Sequence, residues 1–140
     1  MSDSLIPTAD RSTPLNILIV DDSAMMRAMI SRSATMTGLP IGKIFAAGNG
    51  KEALAVLNEQ HVDALFTDIN MPVMTGIELL REIAGQERWQ NMVRVVISTD
   101  GSGARREEAG ALDVQFYVEK PFRPEAMRDV LASLTGAKAP

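Results

Sequence analysis

The sequence predicts an α/β fold, a single domain on a five-stranded parallel sheet, and two patterns in the chain carry that prediction. Short apolar, β-branched runs alternate five times with stretches whose apolar residues recur at helical spacing. Several of the runs are apolar throughout rather than alternating, as strands covered on both faces are. Regular β-then-α alternation with short connections puts helices on both sides of the sheet, a three-layer sandwich, and right-handed crossovers leave few strand orders. The 140 residues suffice for one substantial core and not for two full-sized ones.

Each element follows from local signals. Residues 1–14 are polar and punctuated by Pro7 and Pro14, and read as a loose tail ahead of a domain at 15–135. Asn16-Ile17-Leu18-Ile19-Val20 is the first strand and ends in Asp21-Asp22-Ser23. From Ala24 to about Thr37, Met25, Met26, Met29, Ile30 and Ala34 keep helical spacing, with Asp22 or Ser23 placed to cap and Gly38-Leu39-Pro40 to stop. Lys43 to Ala47 is a short second strand, and Gly48-Asn49-Gly50 turns into a helix carrying Ala53, Leu54 and Leu57. Ala64-Leu65-Phe66-Thr67 delivers Asp68 to a turn fixed by Pro72, and Ile77, Leu79, Leu80 and Ile83 form the third helix, which fades near Gly85. Val93 to Ile97 leads to Ser98-Thr99-Asp100-Gly101, and a charged, weakly apolar helix from about Ala104 to Leu112 is among the less firmly held elements. Val114 to Val118 is the fifth strand, Lys120-Pro121-Phe122 its exit, and Ala126, Met127, Val130, Leu131 and Leu134 mark the last helix before a frayed end at 136–140.

Composition narrows the function. A net charge of −4 argues against nonspecific nucleic-acid binding and leaves no polybasic membrane patch. The absence of cysteine excludes disulfides and thiolate metal sites and fits the cytoplasm. No apolar run approaches the roughly 18 residues needed to cross a bilayer, and no secretory leader opens the chain.

In an open parallel sheet the loops after the strands share one edge, so Asp21, Asp22, Asp68, Ser98 and Lys120 are expected to meet there. Each has a blander role alone: Asp21-Asp22 as helix cap and solvated neighbour, Ser98 as turn residue, Lys120 as loop lysine. Together they carry a specific chemistry. Three crowded carboxylates repel unless a cation neutralises them, and hard oxygen ligands suit Mg2+. Asp68 can then attack a phosphoryl donor in line to give an acyl phosphate, Lys120 can pair with the phosphoryl oxygens, and Ser98 can donate a hydroxyl hydrogen bond.

These residues resemble the receiver domain of two-component response regulators over about residues 15–135. The resemblance rests on Ile17-Leu18-Ile19-Val20-Asp21-Asp22-Ser23 with Arg27, on Asp68-Ile69-Asn70-Met71-Pro72 with Gly76, and on Ser98 and Lys120-Pro121-Phe122. It implies the flavodoxin-like strand order 2-1-3-4-5, Asp68 as phosphoacceptor, and Mg2+ held by Asp22, Asp68 and the main-chain carbonyl of Asn70, with Asp21 acting through water. It implies Ser98 as switch hydroxyl, with Thr99 as the alternative, and Tyr117 as switch aromatic, with Phe116 beside it blurring the assignment. A histidine kinase or histidine phosphotransfer protein is the implied donor. The downstream target is a protein, such as a component of the flagellar motor switch if the role is in chemotaxis. A phosphorelay intermediate that passes the group to another histidine is the alternative.

Two rival classes remain. A Mg2+ phosphohydrolase with an aspartyl nucleophile usually places a general acid two residues on, where this chain has Asn70. A binding-only pseudo-receiver has no use for the acid cluster. The sequence also departs from the family: Asp113-Val114 stands where a Gly-Ala pair commonly precedes the fifth strand, which suggests a displaced fourth helix, and two extra residues fall around Thr37 to Ile41. His61, the single histidine, is expected at the surface away from the acids, Trp89 as a packing anchor, and Met25, Met26, Met29 and Met127 as core filling.

Overall fold

The computed structural model describes residues 14–135; the expected tails therefore lie, apart from Pro14, outside the described residues. Five strands, β1 (Leu15–Val20), β2 (Ile41–Ala47), β3 (Ala64–Thr67), β4 (Val93–Ser98) and β5 (Phe116–Glu119), form one parallel sheet in the order β2-β1-β3-β4-β5. Among the described residues five α-helices, with a short 3-10 turn at Glu87–Trp89, connect and follow them: α1 (Ala24–Thr35), α2 (Gly50–Glu59), α3 (Gly76–Ile83), α4 (Gly103–Gly110) and α5 (Pro124–Thr135). This is the parallel sheet that the alternation predicts, in the flavodoxin-like order that the resemblance implies.

Strand alternation divides the core into two layers. Ile17, Ile19, Phe66, Val95 and Ile97 face α1 and α5 and pack with Ile30, Ala34, Met127 and Leu131. Leu18, Val20, Leu65 and Val96 face the other way, against Ala53 and Leu57 of α2, Leu79, Leu80 and Ile83 of α3, and Ala109 of α4. Trp89 is buried in this second layer, as expected of an anchor, with the Arg88 guanidinium stacked 4.0 Å from its ring.

Side-chain caps start α1 and α3, the first a cap the sequence predicts and the second, at Thr75, one it does not single out. Ser23, rather than Asp22, caps α1 by accepting from the Met26 amide, and Thr75 caps α3 in a reciprocal box with Glu78. Elsewhere the elements shift. α1 ends at Thr35, β2 starts two residues earlier than predicted, and β5 two residues later. Asp113 explains the missing glycine. Its φ is 65°, a left-handed conformation that aspartate tolerates better than most residues, so it can make the turn into β5 that a glycine commonly makes.

The methionines need a correction. Met127 is fully buried and Met26 packs at the edge of the core, but Met25 is 77% and Met29 49% exposed. Both keep the helical period, yet they fall on the outer side of α1, whose inward positions are taken by Ile30 and Ala34. His61 is at the surface as expected, paired with Asp63 ahead of β3.

Candidate phosphoacceptor site

The site is built by the sheet ladder running one residue past its strands. The Asp21 amide donates to the Ala47 carbonyl at 3.1 Å, the Asp68 amide to Val20 at 2.9 Å, and the Lys120 amide to Ser98 at 2.8 Å. Each of these residues is thereby held in register at the carboxyl edge of the sheet, although as many as 99 positions separate them in sequence. The chain then has to leave the sheet, and it does so in turns that are themselves fastened. The Ser23 amide donates to Asp21 Oδ1 at 2.9 Å, and Arg27 Nη1 reaches back from α1 to the Asp21 carbonyl at 2.6 Å.

The Asp68 turn is the most confined. Thr67 Oγ1 donates to the Asp68 carbonyl at 2.7 Å, and the Gly76 amide to the Ile69 carbonyl at 2.8 Å. The backbone of Gly76 comes so close that a Cβ there would lie 2.0 Å from the Asp68 oxygen, so only glycine fits. Between them Val73 has a φ of 68°, an uncomfortable conformation for a β-branched residue.

Lys120 ties the edge together. Its Nζ donates to Asp21 Oδ2 at 2.8 Å and to Asp68 Oδ2 at 3.0 Å, with the three side chains 10%, 2% and 12% exposed. Desolvation works against the ammonium, but hydrogen bonds and charge from Asp21 and Asp68 outweigh it and raise the Lys120 pKa above its ordinary value. One oxygen from each of Asp21, Asp22 and Asp68 lies within 4.8 Å of the others. Lys120 brings a single positive charge to three carboxylates, so the edge keeps an excess of negative charge and of hard oxygen donors. That donor set fits a divalent cation such as Mg2+.

Ser98 and Thr99 separate clearly. Ser98 is fully buried at the end of β4 and its Oγ accepts from the Asp100 amide at 3.1 Å, whereas Thr99 points to solvent. Phe116 and Tyr117 fall on opposite faces of β5: Phe116 packs with the α1/α5 layer, Tyr117 with the α2/α3/α4 layer. The Tyr117 hydroxyl donates to the Asp100 carbonyl. Burial pushes its phenol pKa up and the Asp100 charge adds to this, while the Ser98 hydroxyl and Arg106 and Arg105 pull the other way. Asn70 is exposed in the Asp68 turn.

The chain matches the family model for the response regulator receiver domain over residues 17–132. It belongs to the response regulator receiver family. Among curated relatives, a chemotaxis protein CheY homolog from Campylobacter jejuni is 32% identical over 123 residues, covering 87% of this chain and 93% of the relative. Chemotaxis protein CheY of Pseudomonas aeruginosa is 32% identical over 120 residues, covering 86% and 95%. The solved structure of chemotaxis response regulator CheY4 of Vibrio cholerae superposes with a TM-score of 0.77 at 30% identity, covering 87% of this chain and 99% of that one. The receiver domain of AraT, a response regulator from Geobacillus stearothermophilus, has the same TM-score at 31% identity, covering 87% and 93%.

For this receiver domain, the structure gathers the expected Asp21, Asp22, Asp68 and Lys120 at the carboxyl edge, with Ser98 at the end of β4, and sequence reasoning missed three contributors. Thr67, Asp100 and Arg106 act through main-chain contacts or, for Arg106, also a stack on the Tyr117 ring, which depend on how turns close in space. Thr67 alone had a signal, its place next to the acid at a strand end.

Proposed function

We propose that the protein is a phosphorylation-dependent switch that accepts a phosphoryl group on Asp68. The observation that carries this is the pairing of Lys120 with both Asp21 and Asp68 at an edge that also gathers Asp22 and the buried Ser98 hydroxyl. Asp22, Asp68 and the main-chain carbonyl of Asn70 are the residues to hold Mg2+, with Asp21 acting through water; bound there, the ion neutralises charge on the transferring group. One Asp68 carboxylate oxygen attacks the phosphorus of a phosphohistidine, an O–P bond forms as the N–P bond breaks, and the departing imidazole takes up a proton. Lys120 remains as the cation beside the new phosphoryl oxygens, and the Ser98 hydroxyl, released from the Asp100 amide, donates to another. Hydrolysis by water later returns the carboxylate and frees phosphate.

The Ser98 movement gives the chemistry an output. Tyr117 lies against the same turn, so the ring and the hydroxyl are coupled through Asp100, and phosphorylation shifts a balance between two arrangements of α4 and β5. The donor is a histidine kinase or histidine phosphotransfer protein in the cytoplasm, and the similarity to CheY proteins favours a chemotaxis role with a protein target such as a motor-switch component. Asn70 argues against a phosphohydrolase, since an amide cannot protonate a leaving group. Among the described residues no helix is long and apolar enough to cross a membrane.

Intact mass after incubation with Mg2+ and acetyl phosphate tests the reading. One labile phosphoryl adduct, lost with a chelator and absent in Asp68→Asn, is the expected result. A folded protein that acquires no adduct from acetyl phosphate or from a phosphorylated histidine kinase sinks it.

A further inference from the structure

Arg106 is the side chain that encloses Tyr117, and nothing in the phosphoryl chemistry uses it. From the first half of α4 it makes three contacts in three directions. Its Nε donates to the Gly101 carbonyl at 3.2 Å, its Nη2 pairs with Glu119 Oε1 at 3.2 Å, and its guanidinium carbon lies 4.6 Å from the centre of the Tyr117 ring. Those anchors belong to the β4–α4 turn and to β5, the two segments between which the ring is held. Glu119 is itself set against the turn, because its carboxylate occupies the space where a Cβ on Gly101 would stand. The ring's other side rests on the core, and its hydroxyl reaches the Asp100 carbonyl beneath the turn. A planar cation held by two hydrogen bonds is suited to such a lid, since guanidinium stacks on an aromatic face while its edge donates.

We propose that Arg106 is a positioning residue that holds Tyr117 turned in against Asp100, so that the resting balance of the switch is set by one exposed arginine and its partner Glu119. The inference rests on the reading of Tyr117 as the switch aromatic. Because the turned-in ring is the state that release of Ser98 favours, Arg106 also favours phosphoryl binding, and coupling of this kind is reciprocal. The stack is partly exposed, so its effect on the ring's balance is about two- to fivefold.

Tyr117 is the one tyrosine of the chain, which makes the test direct. Protein grown with 3-fluorotyrosine gives a single fluorine resonance to follow in the wild type, in Arg106→Gln and in Arg106→Lys, each without additives and then titrated with beryllofluoride in Mg2+. Arg106→Gln is expected to move the additive-free resonance toward that of an exposed tyrosine and to weaken beryllofluoride binding about two- to fivefold, with Arg106→Lys recovering part of both. A resonance unchanged in the additive-free Arg106→Gln protein overturns the proposal. So does a moved resonance with unaltered beryllofluoride affinity, which would leave Arg106 a structural neighbour only. Failure of the underlying reading looks different: the wild-type protein itself then shows no fluorine shift with beryllofluoride and no phosphoryl adduct.

Discussion

Helices α3 and α4 each have eight residues and lie on the same side of the sheet, yet they are held in opposite ways. α3 buries Gly76, Ile77, Leu79, Leu80 and Ile83 and starts with a reciprocal capping box. α4 buries Ala109 alone and is tied down by charge. Arg105 bridges Asp100 and Glu108, Arg81 of α3 reaches Glu108, and Arg106 reaches Glu119. Apolar burial is strong and insensitive to salt, whereas exposed ion pairs contribute little each and are screened. The helix that follows Asp68 is therefore fixed, and the helix that follows Ser98 is free to respond. In the proposed mechanism, the chemistry that must be held to fractions of an ångström sits beside the packed helix, and the surface that is to change sits on the ionic one.

The largest effect is expected where the packed half meets the site. Gly76→Ala forces the backbone of the Asp68 turn apart, and we expect it to cost about 4 kcal/mol in urea unfolding, at the upper end for single substitutions. Lys120→Met comes next, because it leaves Asp21 and Asp68 facing each other without their cation. Breaking a buried ion arrangement in this way costs about 3 kcal/mol. The pH dependence has a definite sign. The folded-state pKa of Lys120 is raised above 10.5, so its contribution is fully present below the unfolded value and is lost as pH rises through the folded one. Thermal midpoints of wild type and Lys120→Met should thus differ steadily through neutral pH and converge only in strong alkali. Convergence already near pH 8 would show that the ammonium is not the stabilising group.

The packed half was also the legible half. The apolar runs and helical spacing that define β1, β3, α2 and α3 record burial directly, and burial is what the eye can read from residue types. The acid cluster was legible for a related reason: a parallel sheet brings the residues after its strands to one edge whatever lies between them. The ionic half was not. Nothing in Ala104-Arg105-Arg106-Glu107-Glu108 says which arginine meets Glu108, which meets Glu119, or that one covers a ring, because a charged side chain can find a partner in many geometries. Asp113 hides its role in another way: its backbone takes the left-handed turn that a glycine would make, which the residue type does not announce. The helical period alone does not tell the outer side of α1 from the inner, so Met25 and Met29 read as inward positions although both are exposed.

A smaller effect sharpens the contrast inside the Asp68 turn. Val73 is 75% exposed and holds a φ of 68°, so its side chain contributes little packing there while its backbone is strained. Asn is accommodated in that conformation, and Val73→Asn should raise stability by about 1 kcal/mol. A neutral or destabilising result in urea unfolding would show that the valine makes compensating contacts.

The smallest energy belongs to α4, and it discriminates best between the two helices. Removing one exposed pair, as in Arg81→Ala, should change global stability by no more than about 0.5 kcal/mol. Local opening is a different quantity, since a segment held by few apolar contacts exchanges its amide hydrogens through fluctuations that leave the rest folded. Raising the salt concentration to about 0.5 M shortens the screening length to a few ångströms and weakens the Arg105, Arg81 and Arg106 pairs together. Amide exchange in 103–110 should then quicken severalfold while exchange in 76–83 stays as it was. Equal responses in the two helices would mean that charge is not what holds α4, and the division between a packed half and an ionic half would fall. A response confined to α4 that vanishes when beryllofluoride is bound would tie the ionic half to the state of Asp68.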